Sequence, residues 1–135
     1  MEEYLDMNLK YSKIFDKKIL MISFIKDKID SNQEVVDQFL EKYIDILEKQ
    51  GPIILMLDLR TIKEIDFSFV WKNANKFSKK LCDPEKKNLT CEAVILDNKY
   101  FKSMADAVHK IYPPKIPLKI CSDNSEAIKF IKSVI

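Results

Sequence analysis

The order of predicted elements indicates an α/β domain of the pattern ββαβαβαβα, with a mixed, mostly parallel sheet and helices packed on it. Two observations predict this class. Short apolar runs typical of buried strands alternate with longer segments in which apolar residues recur at helical spacing, and capping residues, Gly or Pro mark the boundaries. The 135 residues, 47% hydrophobic and 33% charged, fit a single soluble domain, since domains typically have about 100–200 residues, so we expect one domain over residues 1–135.

The first two predicted strands form a hairpin. Apolar and polar residues alternate over residues 5–11, as in a strand with one buried face. Asp16-Lys17 is a turn signal, and the nearly continuous apolar run at 19–25 indicates a strand covered on both faces. The two strands are therefore expected to be antiparallel neighbours.

A helix and a central strand follow. Ser31 and Glu34 form a capping-box signature before apolar residues at helical spacing, and Gly51-Pro52 predicts the end of this helix. The wholly apolar run at 53–57 predicts a parallel strand in the middle of the sheet, with Asp58 at its carboxyl end.

The second predicted helix begins after Asp66 and stops before Pro84, in a lysine-rich linker at 83–88. Its apolar stripe, assigned to one core-facing side, consists of Phe67, Val70, Trp71, Ala74, Phe77 and Leu81. On this helical wheel Phe69 points nearly opposite the stripe.

Two strands and two helices complete the pattern. Residues 93–96 and 118–121 predict the strands, and a helix between them is broken at Pro113-Pro114. Asp123 and Glu126 form a capping pair that opens the last helix.

Composition excludes several function classes. The chain has one glycine, Gly51, and one histidine, His109, which argues against glycine-rich phosphate loops, histidine-based zinc sites and the usual nucleophilic triads. Asp27, Asp30 and Asp58 are expected near one rim of the sheet, but aspartates in loops are more often turn and cap residues than metal ligands. The sequence therefore predicts no catalytic residues, no cofactor and no metal site.

Cysteines and the N-terminus predict a cytoplasmic location. The three cysteines have no CxxC spacing and are expected to be reduced thiols. The acidic N-terminus lacks the features of a signal peptide, and no apolar stretch is long enough to insert into a membrane.

Charge argues against a dedicated nucleic-acid binder, because the net charge is only +2. Residues 1–58 have an acidic excess and residues 59–135 a basic excess, which allows pairing between two copies in a homodimer. A local basic patch is either a solvated face or a contact for an anionic partner, and consists of Lys76, Lys79, Lys80, Lys86 and Lys87.

One motif links the central strand to the second helix. It comprises Leu-Asp-Leu at 57–59, Ile-Asp at 65–66 and Ser68. This pattern resembles the hallmark of STAS domains, the sulfate-transporter and anti-sigma-factor-antagonist superfamily, in which Leu-Asp-Leu and a spacer precede Ile/Met-Asp-Ser-Ser-Gly. The element order also resembles the STAS arrangement over essentially the whole chain, and residues 27–30 partly match the family's Gly-x-Leu-Asp.

The resemblance implies a STAS-like fold without the usual phosphoswitch. In regulatory STAS proteins a kinase phosphorylates the first serine after the aspartate, and Phe67 stands there in this chain. Ser68 matches the second serine and remains a candidate phosphorylation site, since a phosphate there would face the positive end of the helix. Phe69 replaces the family's glycine.

The resemblance further implies a small, non-enzymatic regulatory module that binds another protein. The predicted partner-binding residues are Asp66, Phe67, Ser68, Phe69, Asp27 and Asp30. Asp66 has an alternative role as a helix N-cap, and Phe69 has one as an aromatic tucked against a neighbouring loop. The alternative function is binding of a lipid or nucleotide in the crevice at the carboxyl ends of the strands.

Overall fold

Alternating strand and helix segments fold into a six-stranded sheet with four helices in residues 2–29 and 31–135, which the computed structural model describes. The strands are β1 (Glu2–Tyr4), β2 (Met7–Ile14), β3 (Lys17–Phe24), β4 (Ile53–Asp58), β5 (Leu89–Ile95) and β6 (Leu118–Cys121). The helices are α1 (Gln33–Gln50), α2 (Phe67–Asn88), α3 (Lys99–Ile111) and α4 (Asn124–Val134). The strands lie in chain order, antiparallel from β1 to β3 and parallel from β3 to β6, which confirms the mixed, mostly parallel α/β class.

The N-terminal hairpins differ in detail from the prediction. Leu5 and Asp6, placed at the start of the first predicted strand, form a turn with positive φ angles of 50° and 63°, and the short strand β1 precedes them. Phe15 and Asp16, with φ of 49° and 67°, form the next turn, one residue earlier than predicted. Two consecutive left-handed residues match the twist of a tight hairpin, so these turns set the strand boundaries. The antiparallel pairing of β2 with β3 is as predicted.

The helices cover both faces of the sheet. Because β3, β4 and β5 advance in one direction, right-handed crossovers place α1 and α2 on the same face. Alternate strand residues point to opposite faces: Leu20 and Leu55 pack in one core with Leu47 of α1, whereas Ile19 and Ile54 pack in a second core with residues of α4.

Helix α1 begins one residue later than predicted. Asn32, not Ser31, is its N-cap, and the Asn32 side chain accepts a hydrogen bond from the Glu34 amide at 2.9 Å. The helix ends at Gly51 as predicted, although the Gly51 φ is −65°. A Cβ at this position would lie 2.5 Å from the Asn88 Cβ and 2.6 Å from the Leu47 carbonyl oxygen. Glycine is therefore required by the close approach of the ends of α1 and α2 rather than by a left-handed backbone.

Helix α2 continues through Pro84 to Asn88, so the predicted stop before Pro84 and the linker at 83–88 are wrong. Proline costs the helix one amide donor. Tertiary contacts on both sides compensate: Leu81 is buried in the core, and the Glu85 carboxylate accepts a 2.8 Å hydrogen bond from the Tyr43 hydroxyl of α1. The Asn88 side chain also donates to the Pro84 carbonyl at 3.0 Å.

The buried side of α2 is rotated from the predicted apolar stripe. Phe67 and Trp71, assigned to the core face, are 46% and 37% exposed, whereas Asn73 is only 6% exposed. Phe69, placed opposite the core, is half-buried. The cause is that α1 packs along one side of α2, while α3 makes no extensive contact with α2 on the other. A helical wheel for α2 alone contains no information about this asymmetry.

The C-terminal elements follow the prediction except at the start of β5. Strand β6 has the predicted bounds, α3 ends at Ile111 before the two prolines, and β5 begins at Leu89, four residues earlier than expected. The Asp123 side chain caps α4 by accepting from the Glu126 amide at 2.8 Å. None of the helices in the described part of the chain is long and apolar enough to cross a membrane.

Candidate functional site

The loops after β3 and β4 lie side by side at the carboxyl ends of these two parallel strands. Lys28 and Glu64 form an isolated parallel bridge between the loops. The Asp27 carbonyl accepts from the amides of Lys63 at 2.6 Å and Glu64 at 3.2 Å. We call residues 25–29 and 59–71, which include the start of α2, the signature rim.

Buried apolar residues anchor the signature rim from below. Ile62 is only 2% exposed and lies in a small core with Leu96 and Phe101, and the Leu59 amide donates to the Ile95 carbonyl at 2.9 Å. The neighbouring Lys63 is exposed. A loop fixed in this way presents its outer side chains on a firm support.

The aspartate of the Leu-Asp-Leu motif is engaged by a neighbouring arginine. The Arg60 guanidinium donates to both Asp58 carboxylate oxygens at 3.0 and 2.8 Å, and the Arg60 amide donates at 3.0 Å. Burial alone would raise the pKa of Asp58, but these hydrogen bonds outweigh it and lower the pKa. Arg60 also donates to the Asn124 side chain at 3.3 Å. Asp58 therefore organises the end of β4 and ties it to the start of α4.

Asp66 is the N-cap of α2. Its carboxylate accepts from the Phe69 amide at 3.2 Å, so the structural role anticipated for this residue is confirmed. The rest of Asp66 is exposed. A contact between Asp66 and a partner stays a prediction.

Two aromatic side chains lie exposed on the signature rim. Phe67 and Trp71 are one helical turn apart on α2, which places them on the same side of the helix. Phe69 lies on the α1 side, one turn before the buried Asn73, and its half-buried state favours the tucked position. The apolar stripe of α2 predicted that Trp71 lies in the core. The lysines of α2 are the sequence signal for its observed position, because they mark the solvent-facing side of the helix and Trp71 lies at the edge of that side.

The remaining predicted residues have different settings. Ser68, in the first turn of α2, is exposed, and its hydroxyl forms no hydrogen bond with the described residues. Asp27 contributes its carbonyl to loop pairing and exposes its side chain. Asp30 lies outside the described residues. Ser68 thus remains a sterically open candidate for modification.

A polar network not found from the sequence joins α2 to α1 beside the signature rim. The buried Asn73 donates to the Phe69 carbonyl at 2.9 Å and accepts from the Gln33 amide group at 2.8 Å. Gln33 also donates to Asp37 at 3.0 Å, and Asp37 forms an ion pair with Lys76. The hydrogen bond from Lys76 is the main reason why the pKa of Asp37 is lowered. This network fixes the start of α2 against α1; its only signal in the sequence is an asparagine beside an apolar stripe.

The exposed residues of the signature rim form an open surface. Within residues 2–29 and 31–135, no three His, Cys, Asp or Glu side chains are arranged to hold a metal ion. Two depressions in the described part of the chain are open to solvent, one beside α4 and one near the ends of α1 and α2. Neither includes a residue of the signature rim.

Comparisons with known proteins agree on the fold. A family model described as a domain of unknown function (DUF7793) matches residues 13–135. A crystal structure from Shewanella loihica PV-4, described as an uncharacterized protein of the DUF3478 family with a SpoIIAA-like fold, is similar with a TM-score of 0.59. The two chains are 14% identical, and the match covers 96% of this chain and 98% of the other. Among curated proteins none matches. The SpoIIAA-like fold is a STAS fold, so the predicted fold is confirmed.

Proposed function

Because the chain belongs to the DUF7793 family and has a SpoIIAA-like fold, we propose that it is a small, non-enzymatic regulatory module that binds another protein through the signature rim. The observation that carries this proposal is the pair of exposed aromatics, Phe67 and Trp71, on an anchored helix start. Exposed aromatic residues are typical energetic centres of protein interfaces.

The surroundings of the aromatic pair suit a protein partner. Exposed charged residues of both signs flank it, among them Lys63, Glu64 and Asp66. Interfaces commonly combine an apolar centre with a polar periphery of this kind. Because main-chain hydrogen bonds already fix the two loops, binding would require little additional ordering.

We expect the interaction to be independent of phosphorylation at position 67, since Phe67 has no hydroxyl. Phe67 instead adds apolar contact area where related STAS proteins are expected to carry a serine. Phosphorylation of Ser68 would place a phosphate beside Phe67. The charge and hydration of this phosphate would weaken an apolar contact between Phe67 and a partner.

A reducing compartment such as the cytoplasm is compatible with this role. All three cysteines are free, and Cys91 and Cys121 are buried. Burial is the leading reason why the pKa of the Cys91 thiol rises to about 11, which keeps it protonated and unreactive.

The proposal is tested by substituting the aromatic pair. We would compare the wild type, Phe67→Ala/Trp71→Ala and the control Tyr100→Ala by quantitative affinity purification from the native cell. Tyr100 is 80% exposed on α3 and lies outside the signature rim. Circular dichroism and thermal unfolding establish which variants are folded.

We expect the double variant to lose specific partners that the wild type and Tyr100→Ala retain. Purified partner is then titrated against the wild type, with fluorescence of Trp71, the only tryptophan, as the readout. A blue shift and reduced acrylamide quenching are expected as the indole leaves water. An unchanged partner set for a folded double variant would exclude the signature rim as the binding surface.

A further inference from the structure

The outer side of α1 carries an acidic ridge. Exposed positions on this side recur at intervals of three and four residues, and four of them are acidic: Glu34, Glu41, Asp45 and Glu48. Asp45 forms an ion pair with Lys49 of the same helix, at 3.1 Å. With a rise of 1.5 Å per residue the ridge is about 21 Å long.

The outer side of α2 carries a lysine ridge. Its members are Lys72, Lys79, Lys80, Lys86 and Lys87, all of them exposed. None of these five forms an ion pair with another described residue. Asp83 is the one acidic residue within the ridge, which is about 22 Å long.

The two ridges run side by side and in the same direction. Gln33 contacts Asn73 near the start of both helices, and Tyr43 contacts Glu85 further along, each through a 2.8 Å hydrogen bond. A residue of α1 is therefore level with the residue about 40 positions later in α2. Helices packed in this way have axes about 8–10 Å apart. The layer thus presents a negative and a positive stripe of equal length.

This arrangement disfavours a uniformly anionic partner. A nucleic acid or an anionic membrane that approached the lysine ridge would also meet the acidic ridge, at a distance comparable to the Debye length of about 8 Å in physiological salt. A partner that complements both ridges must instead present one positive and one negative stripe at the same spacing. A second copy of this chain provides that surface.

We propose that two copies of this chain associate through the α1–α2 layer, with the acidic ridge of each copy against the lysine ridge of the other. A two-fold axis parallel to the helices produces this pairing and keeps the ridges level with each other. A two-fold axis in the same plane but perpendicular to the helices would put acidic ridge on acidic ridge. The interface is polar, so the dimer dissociates as salt screens the paired charges.

Charge reversal provides the test. One variant, Lys79→Glu/Lys86→Glu, cancels the net positive charge of the lysine ridge, and the other, Glu41→Lys/Glu48→Lys, cancels the net negative charge of the acidic ridge. The control, Lys115→Glu/Lys129→Glu, makes the same charge change as the first variant at exposed positions outside the α1–α2 layer. Sedimentation velocity measures the mass of each protein, and circular dichroism verifies its fold.

We expect the wild type and the control to form dimers at about 20 mM salt and to dissociate at about 500 mM. Each ridge variant alone is expected to be monomeric where the wild type is dimeric, and an equimolar mixture of the two variants to restore the dimer. A wild type that stays monomeric at low salt up to its solubility limit overturns the proposal. Failure of the folded mixture to dimerise also overturns it. If the wild type stays monomeric and binds DNA or anionic vesicles through these lysines, the partner of the lysine ridge is a polyanion and not a second copy of this chain.

Discussion

The substitution Glu92→Gln tests the electrostatics of the core beneath α1 and α2. Glu92 lies in β5 between Leu55 of β4 and Leu118 of β6, and Leu55 belongs to this core. Burial, and secondarily the charge of Glu85, raise the pKa of Glu92 from 4.5 to about 8. Glutamine keeps the shape of the side chain but is neutral at every pH.

The sign of the effect follows from the raised pKa. The unfolded chain loses the Glu92 proton from about pH 4.5 upward, whereas the folded chain keeps it up to about pH 8, so stability falls as the pH rises across this interval. One pKa unit corresponds to about 1.36 kcal/mol. The wild type therefore loses at most about 3 kcal/mol by pH 7 and at most about 5 kcal/mol above pH 8 through this residue.

Urea denaturation between pH 5 and pH 9, followed by circular dichroism and Trp71 fluorescence, measures this effect. We expect Glu92→Gln to match the wild type near pH 5 and to become progressively more stable than the wild type as the pH rises. Glu3→Gln, at an exposed position in β1, is the matched control and should show no such trend. A stability difference between Glu92→Gln and the wild type that is the same at pH 5 and pH 9 would refute the reasoning.

Three further substitutions test the supports of the fold. Asn73→Ala removes two partly buried hydrogen bonds and should cost about 1–3 kcal/mol in urea denaturation. The exposed Asn75→Ala is the near-neutral control, and equal effects of the two substitutions would contradict a stabilising role for the network. Gly51→Ala forces a Cβ into space occupied by neighbouring atoms and should cost about 1–3 kcal/mol, so an unchanged denaturation midpoint would exclude the close approach. Asp66→Ala removes the N-cap and should cost about 0.5–2 kcal/mol, more than Ser68→Ala, which breaks no hydrogen bond to the described residues.

Features that depend on a few neighbouring residues were predictable from the sequence. The capping pair at the start of α4, the bounds of β6 and the hairpin of β2 with β3 all match the structure. The motif around Asp58 and Asp66 identified the fold and located the helix start. In each case the signal and the structure lie within one turn, one strand or one hairpin.

Features that depend on a neighbouring element were missed or misplaced. Pro84 was expected to end a helix that continues, because contacts with α1 and the core outweigh the lost amide donor. Asn73 was not recognised as buried, since its partner Gln33 lies 40 positions away. The proximity of the loops after β3 and β4 was expected, but the hydrogen bonds from the Lys63 and Glu64 amides to the Asp27 carbonyl were found only in the structure.

The sequence by itself determined the α/β class, the order of the main elements and the STAS-like motif, because apolar periodicity, capping and turn formation are local properties of the chain. Only the tertiary structure decided that Trp71 faces solvent while Asn73 is buried, and that the acidic and lysine ridges lie side by side. The physical reason is that burial of a helix surface depends on which of its sides the neighbouring elements cover. In this protein α1 covers one side of α2, and the exposed opposite side carries the aromatic residues proposed to bind a partner.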